Sequence, residues 1–567
     1  MPAHDPRRAA PRPEPRRRPM LTSFVALALV PLQAPRAHEA PRVAFVDVHV
    51  LPMTDERVLA DQTVLVEGGR IARIGPAAEV ELPAGVTRID GHGRWLVPGF
   101  VDSHVHLLDE GDLVVYLANG VSTVRNLKGL PWHLELHERL ASGEVLGPRL
   151  VTSGPFVNEP QVRTVEDVQR AVAEQREEGY DCIKIHGNLA PDAYEALLEE
   201  ASLAGLPVVG HAPRNLLMTR LLELGGQREI SHAEEYLYTW FDRVPGGPDD
   251  AAFEHIARAT AEAGVTVTPN LVAFLLIVRQ IEDLDRELAR PEMAFVAPPG
   301  KRTWQPDLNK YERDFDANDA AVMAERYAVL ERLTRAFQAA GVRLLTGSDA
   351  MNPVAVPGFS LHDELALLVK AGLTPYQALR AATASAGEFL ENGAGRVVEG
   401  APADLVLLAA NPLESIERTR AIEGVCAGGR WLAKDELDRR MKALADDYAR
   451  ESAFMSRFDS SGMESALAYR KEVRAKDPQA LLFRPEGLES LALLFGLVGN
   501  HAAARTAAEL AVEEFAGRWT AWVRLAEACA ALEDEPAAVA ALVHARELHP
   551  DDPRLARALE ELAGERR

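Results

Sequence analysis

LVPGFVDSHVHLL, residues 96–108, decides how this chain is read. An apolar run ends in two histidines one residue apart, His104 and His106. Side chains alternate along a β-strand, so both imidazoles point to the same side and can grip one metal ion. Alone, such a pair serves core packing as readily as ligation. Here it has company: Lys184 stands in CIKIH, His211 in PVVGHA, His232 in EISHAEE and Asp349 in LLTGSDA. Each lies at or just past the end of a short apolar, β-rich run. The gaps from Lys184 to His211 to His232 are 27 and 21 residues, about one strand-plus-helix unit each. A parallel barrel gathers its active site at the carboxyl ends of its strands. Six ligand-type side chains in those places therefore point to a metal site.

Working outward, further β-like runs alternate with helix-like ones. The candidate strands lie near 99–104, 121–126, 149–153, 182–186, 207–211, 228–232, 265–269 and 342–347. Eight strands with intervening amphipathic helices predict an α/β fold, a (β/α)8 TIM barrel over residues 99–392. A long excursion from about 270 to 341, containing APPGKRTWQPDLNKYERDF, separates the last two strands. It reads equally as a substrate lid or as a helical surface insertion. Alternating apolar and polar residues with Gly-containing turns mark 42–98 and return at 393–433. Two β-rich flanks around the barrel predict one small β-sandwich built from both ends.

PGFVDSHVH, IKI, the two later histidines, TGSDA and HDELALLVKAGLTPYQALRAAT followed by GRVVEGAPADLVLL form a known pattern. Over about residues 42–432 the chain resembles the metal-dependent amidohydrolase superfamily, in its imidazolonepropionase-like and prolidase-like branch. The resemblance implies the same barrel and sandwich. It also accounts for the lysine, since a protonated ammonium cannot bind a cation. At the end of strand four such a lysine carries a carbamate from carbon dioxide, whose oxygens bridge two metals. On this pattern His104, His106, Lys184 and Asp349 hold one divalent ion, and Lys184, His211 and His232 hold the second. Both would be Zn2+, to which imidazoles and carboxylates are suited. A hydroxide bridging the metals would attack a carbonyl carbon. Asp349 would move its proton to the leaving nitrogen.

The expected activity is hydrolysis of a C–N bond in a small amide or dipeptide-like substrate. A cyclic amide, a mononuclear variant with Lys184 unmodified, and a non-catalytic interaction protein using its C-terminal region are the alternatives. In the superfamily's nucleobase deaminases a glutamate follows the strand-five histidine by three residues. Here His211 is followed by Ala212, Pro213 and Arg214, which disfavours deamination. Candidate substrate-binding residues are His186, Arg214, Tyr236 and Tyr238, near positions where prolidase-like relatives hold a dipeptide carboxylate.

Beyond about residue 434 the chain is Ala/Leu-rich and reads as an all-α repeat region. Trp522, Leu525, Ala526, Cys529, Ala538, Leu542, Ala545 and Pro550 have tetratricopeptide-repeat spacing. Thirty-four residues back stand Leu488, Leu491, Ala492, Phe495, Ala504, Ala508 and Ala511. This divides the region into a helical linker, 434–484, and tetratricopeptide-like repeats, 485–567. The repeats are expected to pack on the linker, and offer a surface for a homo-oligomer or a protein partner. None of the six ligands lies here, so the region reads as separable from the metal site.

The formal net charge of −23 argues against nucleic acid and anionic membrane surfaces as partners. Three cysteines without C-x-x-C spacing support neither a zinc knuckle nor a disulfide framework. Residues 1–41 read as a leader. Arg16-Arg17-Arg18 precede the apolar run LTSFVALALVPLQA, too short for a stable membrane span and suited to a signal peptide. Export to the periplasm or outside the cell is expected, with a cytoplasmic location if the leader is not a signal.

Overall fold

The computed structural model describes residues 42–243, 249–477, 482–550 and 552–564. The expected leader lies outside the described residues. Five strands ahead of the barrel, Val43–Val50, Leu59–Glu67, Arg70–Pro76, Thr87–Asp90 and Trp95–Pro98, join three behind it, Leu405–Leu408, Ile422–Ala427 and Arg430–Ala433. All eight belong to one sheet, and Trp95–Pro98 pairs antiparallel with Leu405–Leu408 where the two flanks meet. Trp431 lies on the edge strand, four strand steps from Phe45. On a flat sheet that is roughly 19 Å. Their rings nevertheless meet edge to face with centroids 5.2 Å apart. The sheet is therefore folded over on itself, around a core that includes Phe45, Val64, Leu96, Leu405 and Cys426.

The middle of the chain forms a TIM-barrel-like ring. Phe100–Val105, Val121–Asn126 and Arg149–Thr152 pair in parallel order. So do Ile183–Ile185, Val208–Gly210, Gln227–Ser231 and Thr266–Thr268. Parallel bridges Ser153–Cys182 and Val157–Ile185 join the two sheets at one seam. At the other, residues 342–346 fill the gap as an extended segment. Leu345 N donates to Val267 O at 3.0 Å on one side, and Ser103 N donates to Thr346 O at 2.9 Å on the other. This eighth segment makes isolated bridges rather than a ladder. The excursion before it is mostly helical, with Leu271–Leu288 and Ala317–Ala340 as its long members. Val272, Leu276, Met293, Val296 and Trp304 pack it against Met351, Val354 and Val356, just past Asp349.

The C-terminal region is helical throughout its described residues. Lys434–Lys476 turns at Gly462, where φ is +77°. Pro485–Leu497 with His501–Glu514, and Trp519–Ala531 with Glu535–Leu548, are two helix pairs whose members start 34 residues apart (485 and 519, 501 and 535). Leu488, Leu491, Phe495, Ala504 and Ala508 share a core with Phe454, Met455 and Ala466 of the long helix. The repeat-like helices thus pack on the preceding segment. The long helix also touches the barrel near the candidate ligands. Tyr448 of the long helix bonds to Asp109, in the loop that begins with His106. That hydrogen bond is buried and joins the helix to the loop after the first ring strand. All three cysteines are buried free thiols. Among the described residues no helix is long and apolar enough to cross a membrane.

Candidate metal centre

Each candidate ligand sits at the carboxyl end of a ring strand, and all six converge on one side of the ring. His104 is buried at the end of Phe100–Val105, with its Nε2 3.3 Å from Asp349 Oδ1 and 3.3 Å from Lys184 Nζ. His106 Nε2 lies 3.0 Å from the same Asp349 oxygen. The His232 ring packs on His104 and His211, with centroids 4.7 and 4.6 Å apart. Ligand atoms of His104, His232 and Asp349 all lie within 4.8 Å of one another.

The backbone is shaped to bring these side chains inward. His232, Asn270 and Asp349 follow three successive ring segments, and all have positive φ (67°, 51° and 55°). Such a conformation costs a non-glycine residue on the order of 1–3 kcal/mol and persists only where the surroundings enforce it. Here His232 N donates to Thr268 O at 2.8 Å, Asp349 N to His104 O at 2.8 Å, and Asn270 Nδ2 to Gly347 O at 2.9 Å. Two glycines make room. A Cβ at Gly210 would sit 2.5 Å from Lys184 Cδ, and one at Gly347 would sit 2.7 Å from His104 Cβ. Asp102, buried beneath, accepts from Ser348 N at 2.9 Å and so ties the first strand to the Asp349 loop.

Electrostatics follow from burial. The His104, His211 and His232 imidazoles are pushed far below their ordinary pKa by desolvation first, then by neighbouring cationic groups, so they stand neutral and can donate a lone pair. Burial pushes the Lys184 ammonium down to about 8. Burial alone would raise the Asp349 carboxyl; the His106 hydrogen bond and the basic groups around it, Lys184 among them, reverse this and hold it below the usual range. His211 Nδ1 lies 2.7 Å from Glu235 Oε1, which leaves Nε2 for the site.

The four expected substrate contacts separate. His186 stacks on Phe156 (4.6 Å, 8° between planes) and neighbours His211 at the mouth. Arg214 lies over the Tyr238 ring at 4.3 Å and donates to Glu235 at 2.8 Å, so both are near the mouth. Tyr236 is not: its hydroxyl pairs with Thr260 at 3.2 Å, and its ring packs on Phe337 in the surrounding helix layer. Residues two apart on the helix Glu234–Thr239 do not share a face, so Tyr236 and Tyr238 cannot both face the mouth. Sequence reasoning missed Glu235, Asp102 and Phe156. The first two were signalled by carboxylates adjoining ligands in HAEE and DSH. Nothing in the sequence singled out Phe156.

A folded ring with this donor cluster defines a TIM-barrel-like protein built to hold divalent metal. Residues 95–432 match the amidohydrolase family, and the chain belongs to it. It is similar to the imidazolonepropionase of Arthrobacter sp. (strain FB24), with 48% identity over 58 residues, 10% of this chain and 14% of that protein. It therefore spans about a seventh of that relative's length. Among solved structures it resembles bottromycin amidohydrolase (26% identity, TM-score 0.57, 71% of this chain and 90% of that one). It also shares its fold with a Xaa-Pro dipeptidase (17% identity, TM-score 0.55, 69% and 100%).

Proposed function

We propose that this protein is a metal-dependent hydrolase of a C–N bond in a small amide or dipeptide-like substrate. The observation that carries the reading is the convergence of His104, His106, Lys184, His211, His232 and Asp349 at one end of the ring, with their imidazoles kept neutral by burial. The donor set fits divalent metal. His104 Nδ1 and His106 Nδ1 are buried without a hydrogen-bond partner, and Lys184, wholly buried, forms no ion pair among the described residues. A buried ammonium among imidazoles is poorly placed, whereas the anionic carbamate of the same lysine would suit two cations. His104, His106 and Asp349 would hold one ion and His211 and His232 the other, with carbamylated Lys184 between them. Divalent metal there, of which Zn2+ fits the imidazoles best, polarises a substrate carbonyl and makes water a stronger acid.

The protein's own groups supply the rest. Asp349 accepts the proton of the attacking water and passes it to the nitrogen of the breaking C–N bond. Glu235 fixes the His211 tautomer. Phe156, His186 and the Arg214–Tyr238 pair form the walls that a substrate meets. The similarity to bottromycin amidohydrolase and the fold shared with a Xaa-Pro dipeptidase support amide and peptide substrates. The test combines metal analysis with a screen of N-acyl amino acids, dipeptides and lactams. It should find about two divalent ions per chain and a chelator-sensitive hydrolysis restored by metal. A chain that binds no metal and turns over none of these classes would refute the reading; cleavage of lactams alone would assign cyclic amides.

A further inference from the structure

We propose that Tyr448, on the long helix behind the barrel, is a positioning residue for the metal centre, acting through the loop that carries His106. The inference rests on the metal-centre reading above. Asp109 stands three residues past His106 and is buried. Its Oδ1 accepts from the Tyr448 hydroxyl at 2.9 Å and from Gly111 N at 2.7 Å, and Arg484 Nη1 lies 3.7 Å away. The Tyr448–Asp109 bond joins residues 339 apart in sequence.

The ligand end of the loop is held by the barrel: His106 N donates to Ala350 O, and Leu107 N to Asn126 Oδ1 at 3.1 Å. From Leu108 onward that support thins. Leu108 N and Asp109 N both reach only the Asp112 carboxylate, at a long 3.4 Å. The far end of the loop is held through Asp109, whose carbonyl accepts from Asp112 N at 3.1 Å and whose carboxylate is tied to the long helix by the Tyr448 hydroxyl.

Gly111 shows that the contact is built in. A Cβ there would sit 2.2 Å from the Tyr448 hydroxyl, 2.7 Å from Asp109 Oδ1 and 2.8 Å from Leu444 Cδ1. Gly111 is absent from the positive-φ glycines, so it serves here as space rather than as a backbone hinge. The same helix braces the other side of the mouth. Met441, Leu444 and Tyr448 share a core with Val115 and Ala297, with Phe295 and Phe359 against it, and Arg302 of the excursion lies 3.7 Å from Asp459. Leu108 itself packs against the cluster of Val272, Trp304 and Met351. One helix therefore holds both the loop of the first ligand pair and the excursion beside Asp349.

The experiment uses the full metal-free chain, with Zn2+ affinity read by competition with a chromogenic chelator and thermal melting read alongside. Tyr448→Phe keeps the ring and removes the hydroxyl. It should weaken Zn2+ binding about tenfold, the low end of the roughly 10–100-fold effect of losing an outer support of a ligand, while the metal-free melt stays close to that of the unaltered chain. Gly111→Ala should weaken binding too. Lys442→Ala, on the exposed side of the same helix, should bind as the unaltered chain does. Unchanged affinity in Tyr448→Phe overturns the inference, as does a lowered melt with unchanged affinity, which marks packing alone. If the unaltered chain binds no Zn2+, the metal-centre reading falls and this one with it.

Discussion

Removing Glu235 tests whether the buried layer behind the ligands sets metal affinity. Its side chain is fully buried, and one carboxylate serves two partners: His211 Nδ1 at 2.7 Å, and Arg214 through Nη2 at 2.8 Å and Nε at 3.3 Å. Glu235→Ala frees His211 to rotate and to place its proton on either nitrogen. Losing such an outer partner typically costs roughly 10–100-fold in metal affinity, or about 1.4–2.8 kcal/mol. Stability should fall as well. Breaking a wholly buried pair costs about 3–5 kcal/mol. The Arg214 side chain is 41% exposed, however, so water replaces part of what it loses, and about 2 kcal/mol is expected. Arg214→Ala separates the two effects, because it leaves the Glu235–His211 bond in place and should change affinity by no more than about threefold. The assays are chelator competition for the metal and urea unfolding of the metal-free chain. Equal metal affinity in Glu235→Ala and the unaltered chain would refute the reasoning, whatever happened to stability.

Three further outcomes are expected. Lys184→Ala should lose one metal equivalent and most turnover, with partial recovery in short carboxylic acids that can stand in for a carbamate; full metal content without added acid would count against the bridging role. Asp349→Asn keeps an oxygen toward the site but loses the base. Measurable metal binding with turnover down at least roughly 10²-fold is expected, and near-normal turnover would place the proton shuttle on another group. His133 is buried, lies 2.9 Å from Leu107 O, and has its pKa lowered by burial from 6.5 to about 4. Its folded value lies below its unfolded one, so its stabilisation is whole above pH 6.5 and is lost as pH falls toward 4. The slope is about 1.4 kcal/mol per pH unit, so His133→Asn should flatten the fall in stability between pH 7 and 5 by about 2 kcal/mol. Parallel pH profiles from urea unfolding would show that His133 is not the group responsible.

How much of this was legible in the sequence follows from how local each signal is. A strand that ends in a ligand writes both facts in five or six residues, which is why DSHVH, CIKIH and TGSDA placed ring strands and candidate ligands together. The eighth segment was legible for the same reason, although its hydrogen bonds form isolated bridges. Contacts between distant segments leave a weaker trace. Glu235 was visible only as a second acid after His232, and nothing in HAEE says that one acid turns back to His211 while Tyr236 turns away into the helix layer. Helical phase decides that, and the phase depends on where the helix Glu234–Thr239 begins. Gly111 and Tyr448 are the extreme case. Each is unremarkable in its own stretch, and the glycine in DEGD reads as an ordinary loop residue. Only the packed structure shows that the missing side chain of one is the room taken by the hydroxyl of the other. The C-terminal region is helical, as its composition and spacing suggest, yet periodicity describes the faces that helices turn to one another and is silent on what the supporting helix touches on its far side. That far side meets the loop of His106, so the step from sequence to function runs through a contact that neither the ligand pattern nor the repeat pattern contains.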